Sequence, residues 1–420
     1  MEKRRQKLIT RPGGGRSKDG RPPVILAGLD EMIGLQMART FARRGIEVIG
    51  IAKRPDQYGC ATRYVKRQIV ANTYGDEVIP ALVELGKSLE RKAVLIPCID
   101  ETVLRVSRNR ALLDPYFMYA LPEPDVVEML TDKATFFRFA RKENLPIPKT
   151  FLISSKDEAR AAASDIRYPC ILKPALKTPK WWSTFFQKAL MMKDAREFMS
   201  AYEKMEPFIE LLIAQEWIRG GEGALYSSNC YYDKNGKPLV TFIARKIRQW
   251  PPMTGVASLS EECRDDTVLA LSNLIFCKVP YHGFGYLEVK KDEATGEYLM
   301  IETNIARPTG RSSLAEGCGV ELHYTMYCDV VGLPLPENRV QTYRGGKWIQ
   351  LVNDIRSARY FWSRGELTIA EYLRSLRGIK VFAIWSLSDP VPFFVDLWLK
   401  FTNTIQMKFH RDTTRRPQLP

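Results

Sequence analysis

Residues 23–54 narrow the choice of folds more than any other stretch of this chain. An apolar run, PVILAG (23–28), leads into LDEMIGLQMARTFARRG, whose apolar residues recur at helical spacing, and a second apolar run, EVIGIAKR, ends at Arg54. Strand, glycine turn, helix and strand within about 30 residues make a βαβ unit, the building block of a doubly wound parallel sheet. The turn reads Gly28-x5-Gly34 rather than GxGxxG. Lys53 and Arg54 end the second strand, where a dinucleotide-binding domain places an acidic residue for the ribose. A hydride-transferring enzyme is therefore a poor match. A helix near 76–90 and a strand at 93–100 (AVLIPCID) continue the alternation, and this first unit is expected to end around residue 125.

A second segment opens at Thr131, placed to cap a helix through DKATFFRFARKEN that Asn144 and Pro146 end. PKTFLIS, a helix near 156–164 and the strand-like YPCILKP (168–174) follow. Over 206–260 apolar strands alternate with turns, including a hairpin at Asp233-Lys234-Asn235-Gly236. A helix near 265–277 precedes two strands, GYLEVKK (285–291) and YLMIETN (298–304), joined by the turn DEATGE. No internal repeat is evident, which argues against a solenoid.

Length and composition set the outer limits. With 420 residues, 45% apolar and 26% charged, the chain can build two or three cores and is not globally disordered. A net charge of +15 favours anionic partners. Part of it is local: Lys3, Arg4, Arg5, Lys7, Arg11, Arg16, Lys18 and Arg21 face only Glu2 and Asp19. Residues 1–22 therefore read as a flexible basic tail, and without an apolar core they are not a secretory signal. The eight cysteines form no CxxC pair and the three histidines, His282, His323 and His410, stand at no metal-ligand spacing from them, so neither zinc nor a disulfide framework is expected. Buried thiols of a reducing cytosol fit better. Residues 379–401 are rich in aromatic and aliphatic side chains, but Lys380, Asp389, Pro390, Pro392 and Asp396 interrupt them, too often for a spanning helix. That stretch is expected to pack on the protein or to dip its aromatic side into a membrane interface.

The chemistry-bearing residues gather late. Side chains alternate along a strand, so Glu302 and Asn304 share a face, and Glu288 joins them if it pairs opposite Glu302. Leu287, Val289 and Ile301 then fill the other face. Two adjacent carboxylates repel unless a cation sits between them, and oxygen donors favour magnesium. The competing reading is two solvated glutamates on an ordinary hairpin. Lys173 ends an apolar strand and needs an anionic partner, and Lys133 stands in the first turn of its helix, where amides favour anions. Taken singly, either could be a solvated lysine. In IAQEWIRGGEG (213–223) an apolar strand leads to Gln215, Glu216, Trp217 and Ile218, whose backbone can meet an adenine edge, with Glu222 available to ribose hydroxyls.

In order, TDK (131–133), PCILKP (169–174), QEWIRGGEG (215–223), GFGYLEVK (283–290) and MIETNIARPTGR (300–311) resemble the successive motifs of the ATP-grasp superfamily, over roughly residues 23–335. The resemblance implies an α/β and α+β fold: an N-terminal doubly wound domain (23–125), an ATP-grasp domain of two lobes (126–335) and a helical, aromatic C-terminal extension (336–420). It implies that Lys133 and Lys173 bind the phosphates of ATP, that Gln215 to Ile218 form the adenine hinge with Glu222 at the ribose, and that Glu288, Glu302 and Asn304 bind Mg2+. Two features depart from the pattern. The loop ALKTPKWWSTFFQKA (175–189) lacks the glycines of a phosphate cover, leaving Trp181 and Trp182 either to close over the nucleotide or to anchor the loop. The arginine after the metal asparagine comes one position late, at Arg307, with Arg311 as its rival. The chain looks closest to the carboxylate–amine ligase branch, where D-aspartate ligase belongs.

The implied reaction joins a small-molecule carboxylate to an amine through an acyl-phosphate, by positioning and charge neutralisation. Arg245, Lys246 and Arg248 follow a strand and can stabilise developing charge, or else form a basic edge strand. No Ser/His/Asp or Cys/His constellation is visible, so a protein nucleophile is not expected. The expectation is thus a cytoplasmic ligase, with possible peripheral contact to the inner membrane face and no specific nucleic-acid partner. The alternative is a binding module that keeps only the nucleotide fold and works at a nucleic-acid or membrane surface.

Overall fold

The computed structural model describes residues 8–10, 20–176, 181, 184–185 and 189–414. The first sheet takes β1 (Leu8–Thr10), β2 (Val24–Ala27), β3 (Val48–Ala52), β4 (Arg67–Val70), β5 (Ala93–Pro97) and β6 (Phe117–Met118) in the order β1-β4-β3-β2-β5-β6. β2 to β6 run parallel, and helices α1 (Met32–Arg43), α2 (Val78–Lys87), α3 (Asp100–Arg108) and α4 (Arg110–Leu113) connect them. β2, β3 and β5 are buried at every residue, as a strand covered on both faces must be. The glycines of the first turn serve close approach. At Gly28 (φ +119°) a side chain would meet the Cβ of Cys98 at 2.9 Å, and at Gly34 it would lie 2.3 Å from the Gly28 carbonyl oxygen. Leu8–Thr10 pair antiparallel with β4, which corrects the expectation of a structureless tail at those three residues. Residues 1–7 and 11–19 of that tail lie outside the described residues.

The second sheet is antiparallel. It follows α5 (Pro124–Thr131) and α6 (Lys133–Lys142), and holds β7 (Thr150–Ile153), β8 (Cys170–Pro174), β9 (Leu190–Met192) and β10 (Leu212–Glu216) in the order β7-β10-β8-β9. Helices α7 (Lys156–Asp165) and α8 (Ala195–Met205) accompany it. Thr131 ends α5 rather than capping α6. Asp132 is the cap, its extended backbone (φ −79°, ψ 130°) separating the two helices while its carboxylate accepts from the Thr135 N–H at 2.9 Å.

Seven strands form the third sheet: β11 (Leu225–Tyr232), β12 (Pro238–Trp250), β13 (Val256–Glu262), β14 (Gly283–Lys291), β15 (Tyr298–Ile305), β16 (Lys347–Ile349) and β17 (Lys380–Phe382). Their order is β15-β14-β11-β12-β13-β16-β17, antiparallel except for the last pair. β12 is therefore an interior strand, not a basic edge. α9 (Asp266–Cys277), α10 (Ser312–Gly317), α11 (Leu322–Val331), α12 (Leu351–Ser363), α13 (Ile369–Ser375) and α14 (Val391–Thr414) complete the fold.

The C-terminal stretch is not only helical, since it adds two strands to this sheet. Pro390 separates β17 from α14, and the buried Asp389 accepts from the Arg39 guanidinium (3.0 Å), the Thr62 hydroxyl (2.7 Å) and the Arg63 N–H (3.0 Å). One face of α14 is thereby held on the first sheet's helices, while Phe394, Trp398 and Phe401 remain exposed on the other. Among the described residues no helix is long and apolar enough to cross a membrane. Six of the eight cysteines are buried and all are free thiols.

Candidate active site

A cleft of about 830 Å³ is walled by β8 and β10 on one side and by β12 to β15 on the other. Glu31, Met32 and Asp100 close one end from the first sheet, and Trp348, Gln350, Asn353, Asp396 and Lys400 reach in from the C-terminal stretch. Small-molecule sites commonly occupy about 300–1,000 Å³. Lys133, Lys173, Gln215, Glu216, Trp217, Ile218, Glu288, Glu302, Asn304, Arg307 and Arg311 all line the cleft. Glu222 and Arg248 do not.

The β14–β15 register sets Glu288 directly opposite Glu302 and Tyr286 opposite Asn304. Beyond Glu288 the ladder slips: Val289 pairs with Met300, leaving Ile301 as an extra residue. Met300 is fully buried on the core face, and Ile301, expected there, lines the cleft instead. Glu288 is buried and accepts from Lys246 Nζ, the Tyr286 hydroxyl (3.1 Å) and Arg311 Nη2 (3.3 Å). Glu302 is about half exposed, with Lys133 Nζ 4.0 Å away. The Asn304 amide oxygen accepts from Arg307 Nη2 at 2.6 Å. No cluster of three His, Cys, Asp or Glu side chains suited to a metal occurs among the described residues. Two facing carboxylates and an amide oxygen are nonetheless the hard donors that magnesium takes, usually with water and phosphate oxygens completing its shell.

The two rival arginines separate cleanly. Arg307 grips the Asp100 carboxylate through two nitrogens. Burial works against its charge, but Asp100 outweighs that and holds its pKa above the ordinary value. Arg311 is buried, stacks over the Tyr286 ring at 5.2 Å and touches Glu288 with Nη2, while its Nη1 has no partner. Burial pulls its pKa down to about 9. A buried donor left open in a cleft awaits an acceptor.

The hinge segment is held from several sides. Gln215 accepts from Lys173 Nζ at 3.1 Å and donates to the Thr150 hydroxyl at 3.0 Å, which aims the lysine into the cleft. The Trp217 N–H bonds to the Pro169 carbonyl at 3.1 Å. Lys290 donates to the Ile218 carbonyl at 2.7 Å and sits 4.4 Å from the centre of the Trp217 ring. Burial lowers the Lys290 pKa to about 8.

Two expected roles are corrected. Both Glu222 oxygens are taken by backbone, the N–H of Gln249 (2.9 Å) and that of Met253 (3.0 Å). Glu222 thus clamps the turn after β12 instead of facing a ribose. Arg248 is turned away because β12 also carries a bulge: Lys246 pairs with Ser260 but Arg248 with Leu259, so the spacing of two no longer keeps them on one face. Lys246 meets Glu288 in the cleft, whereas Arg248 forms two hydrogen bonds to the fully buried Asp354 and a third to Ser375. Trp181 is fully buried and stacks on Phe185 at 4.3 Å, so it anchors its loop. Trp182 lies outside the described residues. Lys290 and Trp348 were missed. Lys290 had a signal, its spacing of two from Glu288.

No family model matches the sequence. A D-aspartate ligase of Enterococcus faecium is 24% identical over 309 residues, covering 69% of this chain and 72% of that protein. N5-carboxyaminoimidazole synthetase from Staphylococcus aureus superposes with a TM-score of 0.59 at 15% identity, over 76% of this chain and 78% of that one. The superposition shows that the two chains share a fold. A further solved structure, the biotin carboxylase domain of the Hydrogenobacter thermophilus 2-oxoglutarate carboxylase with MgADP, ADP and bicarbonate, superposes with a TM-score of 0.58 at 14% identity, over 75% and 70% of the two chains.

Proposed function

We propose that this protein is an ATP- and magnesium-dependent ligase that activates a carboxylate as an acyl-phosphate for attack by an amine. One observation carries the reading: Glu288 faces Glu302, with Asn304 beside them, in the same cleft as Lys133 and Lys173. A merely binding role leaves that facing carboxylate pair without a purpose. Glu288, Glu302 and Asn304 would hold magnesium, which would supply positive charge to offset that of the phosphates.

The chain's own residues then have distinct tasks. Lys133 and Lys173 hold phosphates, and the backbone from Glu216 to Ile218 meets the adenine, backed by Lys290. Arg307, locked between Asp100 and Asn304, is a positioning residue that orients the metal-binding amide. Arg311 offers its open nitrogen to the substrate carboxylate. That carboxylate oxygen attacks the γ-phosphorus and ADP leaves. The amine lone pair then attacks the acyl carbon, phosphate departs with the C–O bonding pair, and the amine gives up a proton. Likeness to D-aspartate ligase supports an amino acid as the carboxylate substrate. The division proposed is a first α/β unit (23–125), two ATP-grasp lobes (126–335) and a C-terminal part (336–420) that supplies cleft residues. The test is release of ADP and phosphate from MgATP with D-aspartate and other amino acids, each offered with a panel of amines. AMP and pyrophosphate as products would overturn the reading.

We also propose that α14 rests on an anionic lipid surface. Phe394, Trp398 and Phe401 project from one face of it, and the chain's net charge is +15. The protein should float with phosphatidylglycerol-containing vesicles and less with neutral ones, and Trp398→Ser with Phe401→Ser should abolish flotation. Equal flotation of that double variant sinks the idea.

A further inference from the structure

Beside Arg311 Nη1, the cleft wall holds a second open donor that none of the motifs contains. Trp348, on β16, is only 2% exposed and lines the cleft, yet its Nε1 has no partner among the described residues. The Trp348 ring approaches the segment that carries Arg311: a side chain at Gly310, next to Arg311, would come within 3.6 Å of it. The register places Trp348 across from Ser260, and Ser260 across from Lys246. Directly opposed residues share a face of a sheet, so this row points the same way as the Lys246–Glu288 pair. The Ser260 hydroxyl is also buried and unpartnered.

Buried polar hydrogens without acceptors are few in folded proteins, and Arg311, Trp348 and Ser260 each carry one here. Glu288, the carboxylate that Arg311 does touch, already accepts from Lys246, Tyr286 and Arg311. What is missing is an acceptor, and the guanidinium makes it an anionic one. Met32 packs over Gly310 on the same side, its Cε 2.4 Å from where a side chain there would begin. A wall with an indole, a thioether and a guanidinium suits a planar carboxylate on a short carbon stem better than a heavily hydrated polyphosphate.

We infer that Arg311 Nη1 and Trp348 Nε1 form a carboxylate-recognition subsite for a small organic acid, with Trp348 as a specificity-determining residue supplied from outside the motif region. The identity of the acid as a ligase substrate rests on the function proposed above, but the subsite itself does not. Trp348→Phe removes the N–H and keeps an aromatic ring in place. Calorimetric titration should use the full chain, with D-aspartate, succinate, acetate and bicarbonate as probes. The variant should bind its best acid roughly ten- to a hundredfold more weakly than wild type, the loss of one hydrogen bond to a charged group, with unchanged ATP affinity and melting temperature. Undiminished binding by Trp348→Phe overturns the inference, as does failure of the wild type to bind any of these acids. Loss of acid binding in the variant, in a protein whose wild type releases no ADP with any acid and amine, keeps the subsite and refutes the ligase.

Discussion

On one face of β12, Lys246 meets Glu288, which also serves Tyr286 and Arg311, and one nitrogen each of Arg311 and Trp348, which line the same cleft, is left open. On the other face, Arg248 meets Asp354 through hydrogen bonds of 2.9 and 3.0 Å, spends a third donor on Ser375 and stacks on the Tyr372 ring at 4.9 Å. Both faces bury a cation against a carboxylate. The closed face satisfies its guanidinium within the protein and holds helices α12 and α13 to the sheet. The open face keeps donors in reserve. A buried charge is thus not by itself a mark of function, and the unfilled valence beside it is the better sign.

The sharpest way to break this contrast is at the open face. Glu302→Gln keeps the size of a half-exposed side chain and removes one charge facing the nucleotide phosphates. It should lower kcat roughly 10³-fold while leaving the melting temperature unchanged. Retained turnover would reduce the carboxylate pair to an ordinary hairpin. The closed face should answer in the opposite currency. Arg248→Met leaves Asp354 charged and buried, and should cost about 3–5 kcal/mol in urea unfolding with little change in KM for ATP. Adding Asp354→Leu should restore most of that stability. A tenfold rise in KM, with the fold intact, would return Arg248 to the catalytic group.

These two faces also explain what could be read from the chain before folding. The βαβ unit and the shared face of Glu302 and Asn304 follow from apolar periodicity and alternation, while the pairing of Glu288 with Glu302 is a matter of register that the structure supplies. Alternation fails at a bulge, and nothing in the residue types around Ile247 or Ile301 announces one. Ile301, expected on the core face, therefore lies in the cleft, and Arg248, expected to stabilise developing charge, turns away from it. Glu222 lies in a recognisable motif, but its partners are the amides of a turn 27 and 31 residues away, set by tertiary approach alone. β16 and β17 are three residues each, too short for a period to show, so Trp348 carried no sign of its place in the cleft.

The smallest effect tests whether the spare polarity of the open face extends to the helices behind it. His323, fully buried on α11, shares a 2.8 Å hydrogen bond through Nε2 with the Ser312 hydroxyl, next in sequence to Arg311. Its Nδ1 is 3.6 Å from Glu316, beyond hydrogen-bonding reach. Burial first, and the Arg44 charge second, lower its pKa from 6.5 to about 3. The folded-state value lies below the unfolded one, so as the solution is acidified the unfolded chain takes up the proton first. Stability due to the neutral ring is intact above pH 6.5 and drains away between 6.5 and 3. One such group can remove about 2 kcal/mol between pH 6.5 and 5. Glu316, whose pKa burial raises, pushes the other way, so the comparison must be with a variant and not with pH alone. His323→Asn should flatten the acid limb of the urea midpoint by that amount relative to wild type. Parallel limbs would mean that the ring is already protonated in the fold, with Glu316 as its counterion, and that the wall behind Arg311 is as fully paired as the Arg248 face.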